Sequence, residues 1–259
     1  MSEYAVACHN VSKAFGSVKA LRDVSITAKA GEVTAIIGDN GAGKSTLIKI
    51  VAGVEQADSG HIDLFGQQVD FTNPEEARQA GIETVYQTLG LIEDLTIWQN
   101  LFLNREIVTG FGPIQLMNKR VMRQRSHEML TALDVHIPSV RARVRGLSGG
   151  QRQAVAISRA AGWSSRVVIM DEPTAALGVR ESAKVEELIE RLKDKGLAVI
   201  VISHNFDQVV RLADRVWVMR QGRVIAELSQ EELDAAQMVA LITGAAKGDK
   251  LNESGDLDD

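Results

Sequence analysis

Cysteine is almost missing from this sequence. Cys8 is the only one in 259 residues, which excludes a disulfide framework and fits a reducing compartment. With no base motif beside it, the thiol reads as a small buried filler rather than a nucleophile. An excess of positive charge is also lacking: 29 Lys and Arg stand against 34 Asp and Glu, a net charge of −5, so bulk electrostatics gives no support to a nucleic-acid surface. No apolar run approaches the ~18 residues of a membrane span. The opening MSEYAVACHNVSKAF has neither a basic flank nor a long apolar core, so no signal peptide is expected. There is no internal repeat. The composition, 45% hydrophobic and 24% charged, is that of a soluble globular chain with room for one large domain or a domain with an inserted subdomain.

Periodicity gives the order of elements. YAVACHNV and ALRDVSITA alternate as strands about a turn at Phe15-Gly16-Ser17. GEVTAIIG is a short buried strand, and the segment from Lys44 to Val54 follows with helical spacing at Leu47, Ile48, Ile50 and Val51. Strand, glycine loop and helix in succession begin a parallel α/β sheet. HIDLFGQQV reads as a hairpin arm, EEARQAG as a short helix and IETVYQ as a strand. The stretch from about 91 to 144 is read as a mostly helical insertion, with Val121, Met122, Met129, Leu130 and Leu133 at helical intervals. RVVIMDE and LAVIVIS are further buried strands separated by a charged amphipathic helix, and RVWVMRQGRVIAEL is a hairpin about Gln221-Gly222. The polar, acidic end has almost nothing to bury and reads as a disordered tail.

GDNGAGKS, residues 38–45, fits G-x-x-x-x-G-K-[ST] between a strand and a helix. Its glycines let successive backbone N–H groups point inward at phosphates. Lys44 adds a mobile cation for the β- and γ-phosphates, and the Ser45 hydroxyl is sized to ligate Mg²⁺. RVVIMDEP then sets Asp171-Glu172 at the carboxyl end of an apolar strand, where open α/β sheets place ligand-binding groups. One carboxylate of such a pair can hold the Mg²⁺ shell while the other activates a water. ATP binding and hydrolysis are expected.

A second glycine-rich helix start, LSGGQ at residues 147–151, also suits an anion. Residues 38–45, 147–151 and 167–172 together resemble the ATP-binding-cassette (ABC) superfamily of ATPases, whose signature is LSGGQ. The resemblance covers nearly the whole chain apart from the acidic tail. It implies a P-loop NTPase core of class α/β with a mainly parallel sheet, an N-terminal antiparallel β subdomain and an inserted helical subdomain. The implied limits are an ATPase domain over 1–245, made of a core with β subdomain at about 1–90 and 155–245 and a helical signature subdomain at about 91–154. The tail would run over 246–259.

The resemblance further implies that the signature of one subunit completes the ATP site of another in a head-to-tail dimer, so two phosphate-binding loops in one chain serve two ATP molecules. The implied nucleotide-binding residues are Gly38, Asp39, Asn40, Gly41, Ala42, Gly43, Lys44, Ser45 and Thr46, with Ser148, Gly149, Gly150 and Gln151 acting on the partner's nucleotide. Phe15 matches an aromatic that stacks on adenine. Glu172 matches the general base, His204 the switch histidine that contacts the γ-phosphate, and Gln87 the glutamine that senses Mg²⁺ and the attacking water. Asp171, Ser45 and Gln87 are the implied metal set. Gly178 departs from the pattern, because the family usually has aspartate there; communication between the paired sites is put in doubt, although EPTAALGV recurs in ATPases of sugar importers.

The wording between these landmarks, including NLFLNREI and IPSVRARVRGLSGGQRQAVAISRA, is similar to ATPase subunits of ribose-, xylose- and fructose-type monosaccharide importers in their single-cassette form. That implies a second ATPase subunit in a homodimer, an integral-membrane permease, a periplasmic sugar-binding protein acting indirectly, and a place on the cytoplasmic face of the cell membrane. A lipid or drug exporter ATPase shares every catalytic residue and is the alternative. A cassette acting on ribosomes or nucleic acid is disfavoured by the single cassette and the acidic balance, and a regulatory subunit without turnover by the presence of Glu172 and His204.

Overall fold

The computed structural model describes residues 3–111, 114–163 and 165–246. The acidic tail expected from residue 246 lies, after Ala246, outside the described residues. Two long antiparallel strands, β1 (Val6–Phe15) and β2 (Val18–Ala28), open the chain. They are followed by β3 (Val33–Gly38), α1 (Lys44–Val51), β4 (Ser59–Leu64), β5 (Gln67–Val69), α2 (Pro74–Gln79) and β6 (Ile82–Val85). β1, β2, β4 and β5 make a four-stranded antiparallel sheet in the order β2-β1-β4-β5. Cys8 faces inward from β1, buried among aliphatic side chains. Burial pushes its thiol up to about 12, as expected of an inert filler.

The insertion holds α3 (Ile97–Leu101), a hairpin of β7 (Val108–Phe111) with β8 (Ile114–Met117), and α4 (Lys119–Ala132). The hairpin was not legible in the sequence. Val108, Leu116 and Met117 are exposed, so no alternating buried face marks it. Helix α4 buries Met122, Ser126 and Leu130, a stripe at i, i+4 and i+8. Buried Asn100 binds the backbone of Ile92 at both ends, accepting from its N–H at 2.7 Å and donating to its carbonyl at 3.0 Å.

Beyond it come α5 (Gly149–Ala161), β9 (Val167–Asp171), α6 (Val179–Asp194), β10 (Ala198–Ile202), α7 (Phe206–Leu212), β11 (Arg215–Arg220), β12 (Arg223–Ser229) and α8 (Ala235–Thr243). The main sheet has the order β12-β11-β3-β10-β9-β6, parallel except for the β11–β12 hairpin. Its central strands are buried on both faces. Ala198, Ile200 and Ile202 of β10 join one core with Leu47, Ile48 and Ile50 of α1, while Val199 and Val201 join another with Val185, Leu188 and Ile189 of α6. The period-two alternation of a strand explains why these segments read as continuous apolar runs. Helix α5 contributes Ala156 and Ile157 to the second core and Val155 to the separate core of the insertion. One rigid helix thus ties the insertion to the sheet.

Candidate functional site

The loop between β3 and α1 is fixed by close backbone approach. A Cβ at Gly38 would lie 2.1 Å from the Met219 carbonyl oxygen of β11, and one at Gly43 would lie 2.6 Å from the Ala20 carbonyl oxygen. Both residues have positive φ, 152° and 102°, so a side chain at either is excluded twice over. The Gly222 N–H donates to the Ala42 carbonyl at 3.0 Å and clamps the loop from the β11–β12 turn. Helix α1 starts at Lys44 with Gly43 as an N-cap that makes no side-chain bond. Its first N–H groups are therefore left for an anion. Asp39, Asn40, Gly41 and Ser45 are exposed along the same loop, and Thr46 is half-buried. A glycine cradle that a Cβ would fill, ending on an uncapped helix, fits a polyphosphate.

Charge gathers beneath the loop. Lys44 Nζ donates to the carbonyls of Gly38 at 2.6 Å and Asp39 at 2.9 Å. Its pKa is lowered by burial, against the pull of the Glu172, Asp39 and Asp171 carboxylates. Burial and the neighbouring Glu172 charge raise the Asp171 pKa, and Lys44 opposes both. A half-buried carboxylate whose ionisation is resisted by its surroundings is a fitting ligand for a divalent cation, and Ser45 stands next to Lys44 to supply a hydroxyl.

Glu172 follows β9 with φ 51°, in the left-handed region that non-glycine residues seldom occupy. Its N–H is held by the Ile202 carbonyl of β10 at 2.9 Å. Its Oε1 lies 2.7 Å from Nδ1 of His204, which follows β10. The histidine side chain is 73% exposed and the glutamate 17%, so the pair spans from the carboxyl ends of the strands to solvent. Parallel pairing of β9 with β10 and of β10 with β3 brings these groups to the same carboxyl end of the sheet as Gly38.

Phe15 ends β1 with 45% of its surface exposed. It is not core, and Lys13 Nζ lies 5.5 Å from its ring centroid. Gln87 is exposed just beyond β6.

The signature lies apart from this cluster. Among the described residues, no hydrogen bond or ion pair joins 147–151 to 38–46. Ser148 caps α5, its Oγ accepting from the Gln151 N–H at 3.3 Å while the Gln151 Oε1 accepts from the Ser148 N–H at 3.1 Å. This is a capping box, a local reason for serine and glutamine at this spacing. The Gly150 N–H donates to Glu181 Oε1 at 3.3 Å. Hydrogen bonds from Ser148 and Gly150 hold the Glu181 carboxyl below the usual carboxylate range. A Cβ at Gly150 would lie 3.0 Å from Glu181 Cβ, so glycine here also permits close packing of α5 on α6.

The family follows from comparison. The model of the ABC transporter family matches residues 21–175. The chain belongs to the ABC transporter family. This ATP-binding cassette is 46% identical over 243 residues to a xylose/arabinose import ATP-binding protein of Sulfolobus acidocaldarius, covering 94% of this chain and 95% of that one. It is 44% identical over 238 residues to a fructose import ATP-binding protein of Rhizobium meliloti, covering 90% and 91%. It is 40% identical over 245 residues to a ribose import ATP-binding protein of Chromobacterium violaceum, and spans 95% of its own length but only 48% of that relative. Among solved structures, the ADP conformation of an ATP-binding cassette of an ABC transporter superposes with a TM-score of 0.79 at 28% identity, covering 93% of this chain and 96% of that one. A dimeric bacterial ABC transporter cassette gives 0.72 at 26% identity, with 87% and 98% covered.

Two parts of the cassette escaped sequence reading. Buried Gln208 accepts at Oε1 from Ser203, at 3.1 Å, and from Thr174, at 3.0 Å. It thereby couples the segment after Glu172 to the one before His204. Arg159 of α5 donates to the carbonyls of Leu89 and Gly90, both at 2.8 Å, and anchors the segment after Gln87 to the signature helix. Polar residues of this kind give no periodic signal; only their buried or cross-element bonding singles them out.

Proposed function

We propose that this cassette is the ATP-hydrolysing subunit that powers monosaccharide import through a separate membrane permease, working as a head-to-tail dimer at the cytoplasmic face of the membrane. The observation that carries the reading is the division of labour within one chain. Residues 38–46, Asp171, Glu172 and His204 gather at the carboxyl ends of β3, β9 and β10, while Ser148, Gly149, Gly150 and Gln151 make, among the described residues, no hydrogen bond or ion pair to them. A second copy would bring its signature over the first copy's nucleotide. The likeness to importer ATPases over nearly their full length supports the sugar assignment, and the dimeric cassette among the structural neighbours supports the pairing.

In this reading the loop N–H groups and Lys44 hold the β- and γ-phosphates, and Phe15 stacks on adenine. Mg²⁺, held by Ser45, Asp171 and Gln87, would neutralise phosphate charge when bound. Glu172 accepts the proton of the attacking water. His204 keeps that carboxylate turned toward the phosphate, and the partner's signature adds donors and a helix N-terminus to the developing charge. A groove of about 240 Å³ lined by Tyr86, Glu83, Arg105, Arg159 and Trp163 opens beside Gln87 between the sheet and the insertion. It is the place where a permease helix would feel the closing of the dimer, through Arg159. A periplasmic sugar-binding protein would act only through the permease.

Reconstitution of the cassette with a monosaccharide-importer permease that binds it, followed by uptake of labelled xylose, arabinose, fructose and ribose, tests the reading. ATP-dependent uptake of one of them is expected. Outward movement of a lipid or drug instead, with no sugar uptake, would overturn it.

A further inference from the structure

On the outer face of the antiparallel sheet, away from the phosphate loop, β1 and β4 bring together three side chains that the nucleotide chemistry does not use. His9 pairs directly with His61 across the strands, and Asp63 stands two residues further along β4. Their neighbours Cys8, Ile62 and Leu64 are buried in the core, so alternation turns His9, His61 and Asp63 to the other side. The two imidazoles stack with centroids 4.7 Å apart and an interplanar angle of 22°. His9 Nε2 lies 3.4 Å from Asp63 Oδ2, and His61 Nε2 lies 3.8 Å from Asp63 Oδ1. One ligand atom from each residue falls within 4.8 Å of the others.

The geometry points to a binding site for one divalent first-row transition metal, of the zinc class, at His9, His61 and Asp63. Ligand atoms around a tetrahedral zinc, at about 2.0–2.1 Å from the ion, stand about 3.3 Å from one another. The 3.4 Å separation of His9 Nε2 and Asp63 Oδ2 is close to that edge. His61 approaches the other oxygen of Asp63, at 3.8 Å, with its ring stacked on that of His9. It must turn about its side-chain torsions to bring Nε2 to the same ion, which a side chain 42% exposed can do. Two imidazoles and one carboxylate suit zinc, cobalt or nickel. Magnesium and calcium, which take six or more oxygens, are poorly served by it. Three protein ligands leave the fourth position to water. The ion would join β1 to β4 and so brace the sheet that carries Phe15 at the far end of β1.

Tag-free, EDTA-treated, nucleotide-free protein should be titrated with Zn²⁺ by calorimetry and with Co²⁺ by visible absorption. One saturable ion per chain is expected, with a tetrahedral cobalt spectrum and a rise in Tm on adding Zn²⁺. His9→Gln, His61→Gln and Asp63→Asn should each weaken binding at least about tenfold, the loss that even outer partners of a metal ligand produce. Each should keep the parent Mg-ATPase rate, because none lies at the nucleotide site. If one variant fails to fold, the other two carry the test. Absence of saturable binding in the parent, or an affinity unchanged in the folded variants, overturns the proposal.

Discussion

His204 Nδ1 sits 2.7 Å from Glu172 Oε1, and the glutamate takes a left-handed φ of 51°. The backbone bond from Glu172 N–H to the Ile202 carbonyl holds that conformation in place. A carboxylate so positioned can take a proton only while it remains ionised and correctly turned. Glu172→Gln keeps the shape and removes the base, so turnover should fall about 10²–10⁴-fold while ATP binding persists and an ATP-bound dimer accumulates. Single-turnover kinetics and light scattering read both effects. Turnover near that of the parent would remove Glu172 from this role.

Ser148 and Glu181 separate the two uses of the signature. Ser148→Arg should abolish hydrolysis yet leave nucleotide binding by the monomer intact, because, among the described residues, no hydrogen bond or ion pair joins 147–151 to 38–46 of the same chain. Loss of monomer binding, measured with a fluorescent nucleotide, contradicts this. Glu181→Gln removes a negative charge from the Gly150 N–H, where the partner's γ-phosphate is proposed to approach. ATP-driven pairing should tighten by roughly two- to fivefold, the scale of a charge at a helix end. Weaker pairing would mean that the carboxylate supports the closed state.

Asp171 gives a pH signature. Burial and Glu172 raise its pKa, so the folded chain binds this proton more tightly than the unfolded chain. The stability it contributes is present below the unfolded value of about 3.9 and is lost as pH rises through the raised folded value. Asp171→Asn should therefore raise the Tm of nucleotide-free protein at neutral pH, with the gain vanishing near pH 4 or below. The same variant should lose Mg²⁺-dependent turnover. A Tm difference that stays constant across the pH series sinks the argument.

Gly178 is the N-cap of α6 with φ −74°, and nothing lies within 4 Å of a Cβ placed there. Its conformation is open to any residue. Gly178→Asp should stabilise the fold by about 0.5–1 kcal/mol, through a less flexible unfolded chain and a side-chain cap, or roughly 1–4 °C in Tm. It also supplies the carboxylate usual at this position, so ATP hydrolysis should become more cooperative. A drop in Tm, or an unchanged Hill coefficient, would speak against the respective half of the prediction.

The local chemistry was written in the chain. Residues 38–45, the strand before them and the helix after them were legible because a phosphate loop needs glycine at positions where a Cβ meets backbone, as at Gly38 and Gly43. The buried runs of β9 and β10 were legible because both faces of a central parallel strand are covered. The hairpin Val108–Met117 was not, since its apolar side chains at Val108, Leu116 and Met117 are left in solvent. Gln208 and Arg159 were equally silent, because a single polar residue declares its partners only when strands and helices distant in sequence have packed. The pairing of His9 with His61 likewise depends on the register of β1 against β4. Sequence alone determined where the glycine loop stands and which side chains it carries, since that rests on backbone freedom and side-chain type. Tertiary structure decided which groups meet, since a contact between β9 and β10, or between α5 and α6, exists only once the shared core has brought those elements together.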